Sequence, residues 1–302
     1  MRLRALVPVI VLVFGLCLAV GARGSSASGD SPAGIHLVER TRTVQVGGYI
    51  LEKHVLMDAS EVSDIDATVT QVTGIGIEGE EPGGVSAQYV INPWKWPAQS
   101  LPVRVYYNPS LESPRPNPVP SIQDAVSQWS AVSPSTFSMT YSGATSATPG
   151  ACDDVPDGIN VVAYVTTLDK GVLGLTCSFR QASRPDTTVE FDMELAWGFD
   201  WGAGTFVGPN QYDVSSTILH EMGHAAGLGH SLDKNSVMYF ALGKAQMKRS
   251  LTDDDKAALR AQYPVVATVT PLPTPPVVVP TAVPIPVFDH FFAVIAPGVS
   301  RE

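Results

Sequence analysis

Cysteine is scarce in this chain: Cys17, Cys152 and Cys177 are the only three in 302 residues. Cys17 lies in the apolar N-terminal stretch, which leaves Cys152 and Cys177 as a single pair. In an exported protein, one disulfide between them is the simplest use of the pair, and two buried thiols are the alternative. Closing that loop would stabilise the fold by about 3–4 kcal/mol through lost loop entropy. Charge is also sparse at 16% of residues, and basic side chains are outnumbered 19 to 29, giving a net charge of −10 and a pI near 5.0. That balance argues against nucleic acid or an anionic membrane surface as a partner. Long apolar runs are missing too. The stretch from Ala5 to Val20 is short for a membrane span, and the apolar C-terminal end is interrupted by Asp289, His290 and Pro297. Apolar residues nevertheless make up 44% of the chain, enough for a substantial core.

The chain divides by composition. Arg2 and Arg4, the apolar stretch and the small residues around Gly21-Ala22 read as a signal peptide over residues 1–22, with an uncleaved anchor as the alternative. Leu16 before Cys17 matches a lipoprotein box poorly. The expected location is therefore secreted, or held at the cell surface, with no stable membrane insertion once the signal is removed. Residues 23–93 begin Gly/Ser-rich and continue with strand-like runs at Val44–Val46, Tyr49–Leu51, Ala67–Thr70 and Ile75–Ile77. They form either a β-rich pro-segment or an N-terminal extension. Residues 264–286 are a Pro-rich, polyproline-like linker, and 287–302 a short apolar tail.

Between these lies a region, 94–263, of mixed strands and helices. Strands are expected at Leu101–Asn108, Thr136–Tyr141, Gly158–Tyr164, Leu175–Phe179 and Thr188–Phe191. Ile122, Ala125, Val126 and Trp129 fall at i, i+3, i+4 and i+7, so a helix with one buried face is expected there, with Ser121 as its N-cap. A second helix is expected from Asp213 or Ser215 to Ala226. A third follows the acidic start Thr252-Asp253-Asp254-Asp255.

The second helix carries the chemistry. Residues 220–230 read His-Glu-Met-Gly-His-Ala-Ala-Gly-Leu-Gly-His, so three of the six histidines fall in this one run. On a helix, positions i and i+4 share a face, so His220 and His224 can address one ion. Gly227 lets the helix stop and the chain turn back, which delivers His230 to the same ion from outside. Three neutral imidazoles leave a fourth position open for water, the pattern of a catalytic zinc and not a structural one. Glu221, one step round the helix, is placed to act as general base for that water without being a ligand.

The whole pattern, H-E-x-x-H-x-x-G-x-x-H followed by Ser236-Val237-Met238-Tyr239, resembles the metzincin zinc peptidases. Within them it resembles the matrixin branch. Ala125 to Phe137 is similar to that branch's first helix and its exit, Ser231 follows the third histidine, and Leu251-Thr252-Asp253-Asp254-Asp255 is similar to the start of its last helix. The resemblance implies an α+β fold: a twisted, mostly parallel five-stranded sheet packed on helices, with a small C-terminal subdomain. It implies a zinc endopeptidase acting on peptide or protein substrates, expected as a monomer. Met238 would form a hydrophobic floor under the zinc, and Tyr239 and Phe240 part of the substrate pocket. Calcium is a further ion the resemblance allows, at Asp192 and Glu194, although acidic surface residues are the commoner explanation of such a segment.

The departures carry information. No cysteine lies between the signal and Cys152, so the pro-segment cysteine latch of animal matrixins has no counterpart. No histidine lies between His54 and His220, so a single zinc is expected. Phe240 stands where matrixins usually have Pro. From another functional class, the Pro-rich linker and aromatic tail suggest a surface adhesion or wall-binding protein that keeps a residual metalloprotease fold.

Overall fold

The computed structural model describes residues 37–58, 60–61, 89–149 and 155–265. The signal peptide, the expected strands at 67–70 and 75–77, Cys152, and the linker and tail from 266 onward lie outside the described residues. Nine strands and three α-helices are present among those described. They are β1 (Leu37–Val46), β2 (Tyr49–Asp58), β3 (Val103–Asn108), α1 (Val119–Ser130), β4 (Met139–Ala144), β5 (Asn160–Val165), β6 (Val172–Gln181), β7 (Arg184–Ala196), β8 (Trp201–Gly202), β9 (Tyr212–Asp213), α2 (Val214–Ala225) and α3 (Asp253–Gln262). Among these residues no helix is long and apolar enough to cross a membrane.

The main sheet has seven strands in the order β1-β2-β6-β7-β5-β3-β4, so it is mixed and larger than the five-stranded, mostly parallel sheet expected. β3 pairs in parallel with β4 and β5, and β5 in parallel with β7. The junctions β7–β6, β6–β2 and β2–β1 are antiparallel. The extra two strands come from the N-terminal segment. Gly47 and Gly48 have φ of +55° and +87°, a pair of left-handed residues that closes a tight hairpin. That hairpin pairs with β6 from Tyr49↔Gln181 to Met57↔Val172. A strand with an unpaired edge recruits such a partner because its open N–H and C=O groups need one.

Successive side chains on a strand point to opposite faces. On β2, Leu51, Val55 and Met57 pack with Val172, Leu175, Cys177 and Phe179 in a small cluster. Leu56 has the opposite phase and joins the main core with the helices. Glu52 and His54 share its phase, so β2 presents a polar pair toward the helical side.

α1 and α2 cover that side of the sheet. Ile122, Ala125, Val126 and Trp129 are buried as their spacing predicts, packed in one core with Ile218, Leu219 and Met222. The Trp129 indole N–H donates to the carbonyl of Leu219 at 2.9 Å and ties the two helices together. The start of α1 differs from expectation. Ser121 is not its N-cap, because the helix begins at Val119, with Pro120 in its first turn. Proline suits a first turn, where an N–H would have no helical partner. Asn117 Oδ1 accepts the Val119 N–H at 2.9 Å, and Ser121 instead bonds Ser215 of α2 at 2.7 Å. α3 begins with Thr252 and Asp255 capping each other's backbone reciprocally.

Candidate metal centre

α2 is anchored at its start by Asp213, whose carboxylate accepts the Ser216 N–H at 3.1 Å and pairs with Arg249 at 2.5 and 2.8 Å. It ends in a double reversal: Leu228 N–H bonds Gly223 O at 3.0 Å and Gly227 N–H bonds His224 O at 2.8 Å. Gly227 has φ +89°, and a Cβ there would lie 2.8 Å from the Trp94 carbonyl oxygen. Only glycine meets both demands. Other carbonyls at the helix end are bonded by ring donors, Trp96 Nε1 to Ala225 O at 2.7 Å and the Tyr263 hydroxyl to Ala226 O at 2.9 Å. The Trp96 N–H in turn donates to that hydroxyl at 3.0 Å.

The structure brings His220, His224 and His230 together. His220 Nδ1 lies 2.6 Å from Val237 O, and His224 Nδ1 lies 2.8 Å from Leu228 O. A carbonyl only accepts, so both Nδ1 atoms carry the proton and both Nε2 atoms are bare in the neutral rings. Those two Nε2 atoms nevertheless face each other at 3.0 Å. A proton or a metal ion shared between them relieves that contact, and the tautomers are already set for a metal. The residues present therefore fit a bound metal ion. Among the described residues a single group of potential ligand atoms gathers within 4.8 Å: Glu39, His220, His224 and His230.

Met238 is buried against Gly223, beneath the histidine-bearing face of α2. Its turn is fixed by Asp255 of α3, which accepts from Ser236 Oγ and, at 3.1 Å each, from the N–H groups of Val237 and Met238. Tyr239 and Phe240 line a narrow cavity of ≈ 20 Å³ beside His220, with Val237, Leu242, Lys248 and Leu56 of β2. That volume holds little more than one water.

Glu221 is 1% exposed, and neither of its oxygens has a hydrogen-bond partner among the described residues. Burial pushes its pKa up to about 7, with the negative charge of Glu39 acting in the same direction. A carboxylate so placed exchanges protons near neutral pH.

Sequence reasoning missed Glu39 and His54. Glu39, 2% exposed on β1, places Oε2 at 2.6 Å from His220 Nε2 and 3.1 Å from His230 Nε2, and Oε1 at 3.0 Å from His224 Nε2. Burial alone would raise its pKa, but the surrounding imidazoles hold it well below the usual carboxylate range. His54 stacks on His224 with ring centroids 3.9 Å apart, and it bridges Glu39 at 3.1 Å and Glu52 at 3.0 Å. Burial disfavours its charge, yet these two carboxylates outweigh that and raise its pKa to about 10. The available signal was the spacing Glu52-x-His54-x-Leu56, which puts two ionisable groups on the core-facing phase of a strand.

Asp192 and Glu194 lie on β7, outside the histidine group. Asp192 Oδ1 accepts the Val161 N–H at 2.9 Å, and burial pushes its pKa up to about 9. Cys177 is buried on β6, and its expected partner Cys152 is outside the described residues.

Comparison with known proteins points the same way. The matrixin family profile matches residues 95–264, more than half of the chain. Metalloendoproteinase 1 of Glycine max is 31% identical over 78 residues, covering 26% of each chain. Metalloendoproteinase 2-MMP of Arabidopsis thaliana is 33% identical over 95 residues, which are 31% of this chain and 24% of that one. Stromelysin-2 of Rattus norvegicus is 26% identical over 188 residues, 60% of this chain and 36% of its own. The matched part thus spans between 24% and 36% of these relatives' lengths.

Proposed function

Since the chain belongs to the matrixin family, we propose that it is a secreted zinc metalloendopeptidase that hydrolyses peptide bonds of extracellular proteins, with Glu221 as general base. One observation carries the reading: three imidazole nitrogens converge at one point, and Glu221, next to His220 on α2, is buried with no partner among the described residues. When bound, zinc supplies Lewis acidity toward the substrate carbonyl and makes water acidic enough to be deprotonated near neutral pH. Everything else falls to the protein. His220 and His224 are locked by backbone carbonyls, so no reorganisation is needed to present their lone pairs. Glu221, buried and without a hydrogen-bond partner among the described residues, takes the proton from the attacking water and passes it to the departing amine. Tyr239 and Phe240 wall the space beside His220 that a substrate side chain would enter once Leu56 of β2 makes room for it.

Glu221→Gln tests this. The variant should keep a metal content of one zinc per chain while peptide hydrolysis falls by about 10²–10⁴-fold. Retained activity with full zinc would remove Glu221 from the mechanism. A bridge between Cys152 and Cys177, a cleaved leader, a small C-terminal subdomain beside the cleft and a monomeric state belong to the same proposal. Peptide mapping of exported material without reduction reads the first two. Calcium near Asp192 and Glu194 also belongs to the proposal, supported by the crowding of Asp157, Glu190 and Glu194 around Asp192. An unchanged melting midpoint on adding Ca²⁺ would dismiss it.

A further inference from the structure

The N-terminal hairpin occupies the site at four separate places. The Glu39 carboxylate sits among the three Nε2 atoms at 2.6, 3.0 and 3.1 Å. The Glu39 N–H donates to Phe240 O at 3.3 Å, on the segment that walls the pocket. Leu56 is one of the side chains closing the cavity beside His220. β2 takes the antiparallel place along β6, the edge at which an extended peptide would add as a strand.

The fastening of Glu39 is elaborate for a surface extension. His54 holds it, Glu52 holds His54, and Glu52 is itself held by Trp94 Nε1 at 3.1 Å and Arg180 Nη2 at 3.3 Å. At the far end of β2, Asp58 bonds the Tyr212 hydroxyl and, at 3.2 Å, Lys244. A carboxylate oxygen is a good zinc donor, and four protein ligands make a closed, structural type of site. A ligand tethered to the same chain also competes at high effective concentration with any free substrate.

We propose that Glu39 is the fourth protein ligand of the metal and that the β1–β2 hairpin keeps the cleft shut, occupying both the open coordination position and the strand position a substrate needs. This rests on the metallopeptidase reading given above. It also supplies, with an oxygen donor, the latency for which the chain has no cysteine. Activity then requires the hairpin to leave, by cleavage or displacement.

The test uses the full chain with cobalt(II) in place of zinc, whose visible spectrum reports the ligand set. Wild type should be insensitive to acetohydroxamate, a small chelating probe of the open position. Glu39→Gln, nearly isosteric but uncharged, should show an altered spectrum that shifts further on adding the probe. In the zinc forms, the variant should lose metal to a chromogenic chelator on the order of tenfold faster, and cleave a quenched fluorescent peptide on the order of tenfold faster. Equal spectra, equal probe response and equal zinc loss would overturn the assignment. If the variant does not fold, the wild-type titration decides alone: no saturable spectral change supports the fourth ligand, and saturation at the probe concentrations expected for an open three-histidine site overturns it. A changed ligand set with no cleavage in either protein would sink the peptidase reading and leave Glu39 as ligand. Equal cleavage with an unchanged ligand set would do the reverse.

Discussion

Gly227→Ala should cost far more than a glycine substitution at the same backbone angle elsewhere, and Gly48→Ala supplies the comparison. The two have nearly equal φ, +89° and +87°. An alanine at either pays about 1–2 kcal/mol for the left-handed conformation. At Gly48 nothing lies within 4 Å of the new Cβ, so that is the whole cost. At Gly227 the Cβ also meets Trp94 O at 2.8 Å and Gln262 Nε2 at 2.9 Å. Trp94 O is backbone, and Gln262 Nε2 already bonds it at 2.5 Å, so neither yields easily. Such crowding adds about 1–3 kcal/mol, for a total of about 2–5 kcal/mol. At about 2–4 °C per kcal/mol for a domain of this size, the midpoint should fall by roughly 2–8 °C for Gly48→Ala and by roughly 4–20 °C for Gly227→Ala. Melts should be run with chelator present, so that metal linkage does not mask the difference. Zinc affinity, measured by chelator competition, should fall much more for Gly227→Ala, which turns His230 toward the metal, than for Gly48→Ala, at the end of the hairpin remote from Glu39. Equal melting losses for the two variants, or unchanged zinc affinity in Gly227→Ala, would refute the argument.

Asp255→Ala should destabilise the protein by about 3–5 kcal/mol in urea unfolding, because it strips acceptors from the Met238 turn and from the start of α3 together; a loss below about 1 kcal/mol would mean other groups hold that turn. Asp192 has its pKa raised by burial to about 9, so its neutral form is the one folding favours. Its contribution is complete below its unfolded pKa near 4 and is lost as pH climbs toward 9. The stability of Asp192→Asn relative to wild type should therefore rise across that window, and a difference independent of pH would contradict the assignment.

Much of the centre was legible because its logic is local. The spacing of His220 and His224 on one helix face, the reversal at Gly227 and the acidic start of the last helix at Asp253 each depend on residues within a few positions. The buried stripe of α1 is legible for the same reason, whereas its start at Val119 was hidden by a proline that reads equally as loop or first turn. Glu39 was invisible because its partner His220 stands 181 residues away. A single acidic residue in a strand leaves no periodic trace of what it will touch. The sheet was undercounted on similar grounds: the hairpin itself is a local pattern, but its alignment with β6 is a tertiary choice.

Trp96 and Tyr263 stand 167 positions apart in sequence, yet both grip the closing turn of the histidine helix and each other. The beginning and the end of the stretch that matches the family thus share one clasp. A fragment trimmed inside either residue would free helix carbonyls one and two positions from His224, so the smallest fragment that keeps the histidine centre intact is bounded by this knot of two aromatic rings.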